Sequence, residues 1–430
     1  MKNERTSYET TARQAAEHIL GVEAIPFAPQ RMSKYAHWYE DADRNYVVAV
    51  ATPGEKYTVG DEVLAFGLAW QQNRDLILVL PEEMVTGALI RTPWIGPEVR
   101  IWKFDGGGEP QAVPSISRGE ALAKLAALPD RGAAPYALRP EHEAWIEGIE
   151  TDLLVPHRRS CLSWHHEGLQ VLRITDSKKG VRIQAGVQYR TPPVGFEPFD
   201  RLFTAPPTAE DLSVINDKIR QALAPSGSLT SQMREHKMQS TLSNQAEALG
   251  LGQLWREYPA YRAIQPSGKG RAGFIDFLGA DENDQFHVVE TKIGHDVTVV
   301  LQALDYSLWV KANEDKLRQS LLPGTTSKPE SGQFTPAPIH LVLGDKKTEK
   351  AAGKKKLENA FNSYLAGQIE ALSGDIKVHI HITDEPTAVP LQLRSLARSK
   401  MWSAGPSVSA PVTDPRWPEQ VTDALIRAER

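Results

Sequence analysis

Three residues carry the chemistry this sequence suggests most directly: Asp276, Glu290 and Lys292, in the stretch "GRAGFIDFLGADENDQFHVVETKIG". The stretch reads as two apolar strands around the seven-residue loop "GADENDQ". Side chains alternate faces along a strand. Phe274, Asp276 and Leu278 therefore share one face of the first strand, and Phe286, Val288, Glu290 and Lys292 share one face of the second. A hairpin brings Asp276 to Glu290, with Lys292 one side-chain step further on. Two carboxylates gathered in a partly apolar site repel each other and lose hydration. A lysine relieves one of them as an ion pair. A hard divalent ion relieves both, and two carboxylate oxygens plus a backbone carbonyl suit an ion such as Mg²⁺.

The Asp…Glu-x-Lys arrangement resembles the PD-(D/E)XK nuclease superfamily, carried by Asp276, Glu290 and Lys292. The family's proline is missing, since Ile275 precedes the aspartate. The following helix holds "QALDY", with Gln302 and Tyr306 four apart on one face. This is similar to the Gln-x-x-x-Tyr signature of the RecB-type branch. The resemblance implies that Asp276 and Glu290, with the Thr291 carbonyl as a third oxygen, hold Mg²⁺ or Mn²⁺, and that Lys292 orients or activates the attacking water. It also implies that Gln302 and Tyr306 position the strand or brace Lys292. A further glutamate is expected on the helix before the hairpin. The stripe Met238, Leu242, Ala246, Leu249 marks its buried face. Glu235 falls about 20° from that face and Glu247 about 140°. Glu235 is therefore expected at the acids, with Gln239 in reserve; Glu247 or Glu257 at the cluster would overturn that helical phase.

The elements that must position these residues follow from periodicity. Residues 46–103 alternate strands such as "YVVAVAT" and "DLILVLP" with helical segments, which predicts a small parallel α/β sheet. Residues 141–190 read as successive strands, and 191–211 as a Pro-rich linker. From Gln232 onwards the order is α-β-β-β-α-β-α-β, with helices expected over 232–249, 297–312 and 354–372. The expected fold class is α/β multidomain. A small N-terminal α/β domain (1–140) precedes a β-rich segment with its linker (141–225). A restriction-endonuclease-like mixed α/β domain (226–430) follows and is expected to fold alone. The resemblance covers about residues 232–383.

Composition frames the function. The net charge is −5, and residues 226–430 are balanced with 24 basic and 24 acidic residues, so no global basic field announces a polyanion. One cysteine, Cys161, excludes an intrachain disulfide and a Cys-rich zinc site. No signal peptide or membrane span is read, so a cytoplasmic protein without membrane partners is expected. "GKGRAG" leads into a strand rather than a helix, so it is a turn and not a dinucleotide loop. Its Lys269 and Arg271, with Lys354 and Lys355 of "DKKTEKAAGKKK", are candidate phosphate contacts. Arg394, Arg398 and Lys400 allow the same reading. His165 and His166 point to opposite faces of a strand, and a surface turn is the simpler reading. His379 and His381 share the polar face of another strand, where exposure at a sheet edge is expected.

The expected function is Mg²⁺- or Mn²⁺-dependent hydrolysis of phosphodiester bonds, in DNA before RNA, endo- or exonucleolytic, in restriction, repair or antiphage defence. A homo-oligomer is left open. Two rivals stand beside it. One is a catalytically inactive nucleic-acid-binding or regulatory protein that keeps the nuclease fold. The other is a structural protein in which the three charged groups form a metal-free ion network.

Overall fold

The computed structural model describes residues 2–396, apart from 27–35, 54–58, 72–73, 107, 130–136, 153–154, 159–160, 167–168, 187–196, 224–230, 265–269, 325–333, 350–354 and 359. Lys269, Lys354, Arg398 and Lys400 thus lie outside the described residues. The protein is mixed α/β, with three open sheets and ten α-helices among the described residues.

The first part holds α1 (Lys2–Leu20), β1 (Ile25–Pro26), β2 (Ala36–Glu40), β3 (Tyr46–Ala51), α2 (Val59–Trp70) and β4 (Asp75–Leu80). It continues with α3 (Glu82–Arg91), β5 (Val99–Lys103), β6 (Gln111–Val113) and α4 (Arg118–Ala126). The sheet runs β1-β2-β3-β4-β5-β6, and the expected parallel centre is β3-β4-β5. Parallel strands are covered on both faces and so read as unbroken apolar runs. "YVVAVA" and "DLILVL" are buried at every residue but the first.

Residues 131–245 contribute α5 (Pro140–Glu143), β7 (Val155–Arg158), β8 (Leu162–His166), β9 (Leu169–Ser177), β10 (Gly180–Ala185), β11 (Phe199–Phe203), α6 (Ala209–Leu223) and α7 (Ser231–Leu242). The five strands form one antiparallel sheet. β11 lies within the stretch expected as linker. It pairs with β10, and Asp200 takes a two-pronged ion pair from Arg182 of that strand.

The last part holds β12 (Gln253–Ile264), β13 (Gly270–Ala280), β14 (Phe286–Ile293), α8 (Val299–Ala312), α9 (Glu314–Leu321) and β15 (Ile339–Gly344). Then come β16 (Lys346–Glu349), β17 (Lys355–Glu358), α10 (Ser363–Ala371), β18 (Val378–Thr383) and β19 (Arg394–Leu396). The sheet order is β12-β13-β14-β15-β18-β19; β14-β15-β18 are parallel and the outer pairs antiparallel. Two helical expectations are corrected. α7 ends at Leu242, and a separate 3₁₀ turn covers Ala246–Leu249. The lysine-rich stretch containing Lys355 is a β-ribbon with β16, not a helix start. The helix begins only where Asn362 caps it, its side chain accepting from the Tyr364 and Leu365 N–H groups.

The chain does not divide at 140 and 225. Among the described residues, those of 1–130, 246–384 and 392–396 form one compact unit, and those of 131–245 with 385–391 form another. The reason is a shared core. Trp94, Leu122 and Leu125 pack in one apolar cluster with Leu304, Leu308, Leu341 and Ile369. Leu301 and Ala371 in turn belong to the cluster under the N-terminal sheet. Residues 226–430 therefore lack part of their own core when cut free.

A buried ion network crosses the same boundary. Arg91, 1% exposed, gives Asp305 of α8 two hydrogen bonds of 2.6 Å each, and a third of 2.6 Å to Asp61 of α2. Burial pushes the Asp305 carboxyl up to about 6, against the pull of Arg91. Burial also works against ionised Asp61, but Arg91, Arg262 and Arg271 hold it below its ordinary value. Arg91→Leu leaves two buried carboxylates without their main counter-charge, an expected loss of about 3–5 kcal/mol. Chemical denaturation should show the transition of the unit that holds Arg91, Asp61 and Asp305 moving to lower denaturant as one step. Separate unfolding of residues 1–130 and 246–384, with only one of the two shifted, would contradict a shared unit.

Candidate active site

The acids sit where two strands part. β13 pairs with β12 along its length, from Gly270 to Ala280. It pairs with β14 only from Phe277↔Val289 to Ala280↔Phe286. Beyond that point β14 continues beside β15. One step past the last β13-β14 pair, the register sets Asp276 opposite Glu290. The Glu290 carboxylate fills the fork: its Oε1 accepts from the Asp276 N–H at 3.3 Å. Asp276 Oδ2 accepts from both the Thr291 N–H, at 2.8 Å, and the Thr291 hydroxyl, at 2.7 Å. The N–H and C=O of a strand residue point to the same side. The Thr291 carbonyl thus faces the same fork.

Glu290 is fully buried and Asp276 half-buried. Burial raises the Asp276 carboxyl, while the Lys292 charge and the Thr291 hydrogen bonds oppose the rise. Glu290 is pushed well above the usual carboxylate range, by burial first and by the Asp276 charge second. Lys292 and Arg262 pull it back.

The helix residues reach the acids. Gln302 Nε2 donates to Glu290 Oε2 at 2.9 Å. Gln302 thereby braces the glutamate rather than Lys292. Tyr306 is 2% exposed, and burial followed by the Glu290 charge raises its phenol. It lies against Gly273 of β13, where an added Cβ would run into the tyrosine hydroxyl. A glycine is needed there for that approach.

Glu235 is half-buried on α7, an element of the 131–245 unit. The third acid that the structure brings to Asp276 is Glu257 of β12. Arg256 pairs with Phe277 and Tyr258 with Ile275, so Glu257 falls opposite Asp276. Its charge adds to the rise of the Asp276 carboxyl. Glu257 has φ +47°, a left-handed conformation uncommon for glutamate and often found where function holds the backbone. The only sequence signal was an acid in the strand preceding the hairpin.

The atoms gathered at the fork are carboxylate and carbonyl oxygens, the donor type a hard divalent cation takes. Both carboxyls are disfavoured as anions by burial, and a carbonyl faces the fork. Asp276, Glu290 and the Thr291 carbonyl would hold such an ion. Among the described residues no group of three or more His, Cys, Asp or Glu side chains is arranged to hold one. The set therefore depends on the carbonyl and on solvent or substrate oxygens, as is usual for Mg²⁺.

On the opposite face of β14 lies a row of histidines, which includes His381; only His379 and His381 are expected from the sequence, at an exposed edge. His379 is exposed, but His381 is buried. His287 Nδ1 and His340 Nε2 are 3.0 Å apart, as are His340 Nδ1 and His381 Nε2. Asp281 stands 3.5 Å from His287 Nε2 at one end, and the Ser395 hydroxyl 3.2 Å from His381 Nδ1 at the other. In the other unit, His165 is buried beside Ser163 and His166 is half-buried, as their opposite faces require. Arg394 pairs with Asp384 at 2.8 Å.

Comparison with protein-family models, with curated proteins and with solved structures returns no match. No helix among the described residues is long and apolar enough to cross a membrane.

Proposed function

We propose that this protein is a metal-dependent nuclease that hydrolyses phosphodiester bonds, DNA being the first substrate to test. On this reading the sheet β12-β13-β14-β15-β18-β19 with α8 and α10 is a restriction-endonuclease-like core. The observation that carries it is the strand fork: a buried and a half-buried carboxylate meet there, both raised, with Lys292 one step along the same strand. A bound Mg²⁺ or Mn²⁺ lowers the pKa of its water and offsets charge on the scissile phosphate. The chain's own residues do the rest. Thr291 fixes the Asp276 carboxylate through two hydrogen bonds. Gln302 fixes Glu290. Lys292 stands on the Glu290 face of the strand, where its ammonium can orient the attacking water or meet a phosphate oxygen.

The rival reading, a silent nuclease fold that binds nucleic acid, draws on one observation. Each acid already has protein hydrogen bonds without a cation. Incubation of the full chain with supercoiled plasmid, linear duplex, single-stranded DNA and RNA separates the two readings. Cleavage that needs Mg²⁺ or Mn²⁺ and stops with EDTA supports the nuclease. A folded protein that binds DNA, takes up no Mn²⁺ and cuts none of the four supports the rival.

A further inference from the structure

The N-terminal part and the hairpin β12-β13 meet at Asp61. Its Oδ1 accepts from Arg91, while Oδ2 stands 3.4 Å from Arg271 Nη1 and 3.7 Å from Arg262 Nη2. Asp61 is thus shared by three guanidinium groups, and its ties to the two hairpin arginines are loose. Arg262 occupies a β-bulge. Tyr261 pairs with Ala272 and Ala263 with Arg271, so Arg262 is the extra residue on its strand. A bulge re-aims a side chain and is frequent beside active sites.

Arg262 also has donor capacity to spare. Its side chain is only 16% exposed, and its Nε is buried with no hydrogen-bond partner among the described residues. A guanidinium presents five N–H donors in a fixed fork. A buried donor left without an acceptor costs free energy, which suggests that an acceptor arrives from outside. The charge of Arg262 is felt by Glu290, Asp305 and Tyr306, so the group stands in the field of the acidic fork.

We propose that Arg262 and Arg271 form a phosphate-binding subsite beside the carboxylates, with Asp61 of α2 holding the two guanidinium groups in place. The ligand class is a phosphodiester oxygen pair, which a planar guanidinium meets with two parallel hydrogen bonds and an ammonium does not. The proposal rests on the nuclease reading for the identity of its ligand. It also gives residues 1–130 a task, since Asp61 orients a subsite formed by residues far along the chain.

The test uses the full chain in EDTA, so that binding is read without cleavage. Anisotropy of a fluorescein-labelled duplex of about 20 base pairs is followed between about 50 and 200 mM NaCl. Arg262→Gln is expected to weaken binding roughly fivefold to tenfold and to lower the salt slope by about 1. Arg262→Lys keeps the charge and loses the fork, so it should keep the slope and recover only part of the affinity. Thermal melts of both variants confirm that each is folded. Wild-type affinity and slope in Arg262→Gln, or no binding by the wild-type protein at the lowest salt, would overturn the subsite. Arg262-dependent binding by a protein that never cleaves would keep the subsite and remove the nuclease reading. Cleavage with no dependence of binding on Arg262 would do the reverse.

Discussion

Asp276→Ala should lose both metal binding and cleavage, whereas Lys292→Ala should keep metal binding and lose cleavage by at least about 100-fold. The difference follows from role. A carboxylate supplies binding energy to a hard cation directly. Without Asp276 the fork loses one of its two assigned carboxylate ligands, and Thr291 loses the acceptor of two hydrogen bonds. Removing Lys292 takes a positive charge from beside two raised carboxyls, which favours a cation there rather than opposing it. Mn²⁺ calorimetry on both variants, beside a plasmid-nicking assay, reads the two roles separately. Wild-type rates in both variants would remove the assigned site. Equal loss of metal binding in both would remove the assigned division of labour. Gln302→Ala belongs to the same series: it frees the Glu290 carboxylate, so it should weaken Mn²⁺ binding less than Asp276→Ala does.

The hairpin was legible because its information is local. Alternation set the faces, and the loop length set the register that brings Asp276 to Glu290. Helical spacing puts Gln302 and Tyr306 on one face, and the resemblance alone implies that this face meets the site; the partner of Gln302 is Glu290. What lay beyond reach was anything decided by distant packing. Arg91 and Asp305 are 214 positions apart, and no periodicity joins them. The division of the chain depends on which apolar faces cover one another, so the break read at 225 carried no information about the shared core. "KKLE" has good helix formers yet pairs as a strand, because its ribbon partner overrides propensity. Glu235 was assigned by helical phase, which sets a face of α7 but not the unit to which α7 belongs. Glu257 needed a register and a left-handed backbone, neither visible in its neighbours. His381 read as polar and therefore exposed. Its burial comes from His340 on the adjoining strand, and the sequence alone gives no sign that the two rings meet.

That histidine row sets the last expectation: the protein should lose stability steeply as pH falls below about 6.5. Burial first, and the neighbouring imidazoles second, push His340 down to about 2. Burial and the His379 charge push His381 to about 4, and burial also lowers His287. The groups around the row explain why it stays neutral. Asp281 at one end favours protonation of His287, but Lys377 and His379 oppose it. His379 stacks on His340 with ring centroids 4.6 Å apart. Each neutral ring has one donor and one acceptor nitrogen, so two adjacent protonated rings would set N–H against N–H. The sign follows. In the unfolded chain these histidines take a proton near 6.5, and in the folded chain only far below it. The unfolded state therefore binds more protons as pH falls, and stability drains away through that window. For His340 and His381 together the loss between pH 6.5 and 4.5 is roughly 5 kcal/mol. Asp276 and Glu290 act oppositely, because their raised folded values favour protonation in the folded state. Comparison with His340→Phe cancels that contribution. Urea midpoints measured from pH 7.5 to 4.5 should fall much more steeply for the wild-type protein than for the variant. Parallel slopes for the two would mean that the row carries no proton linkage.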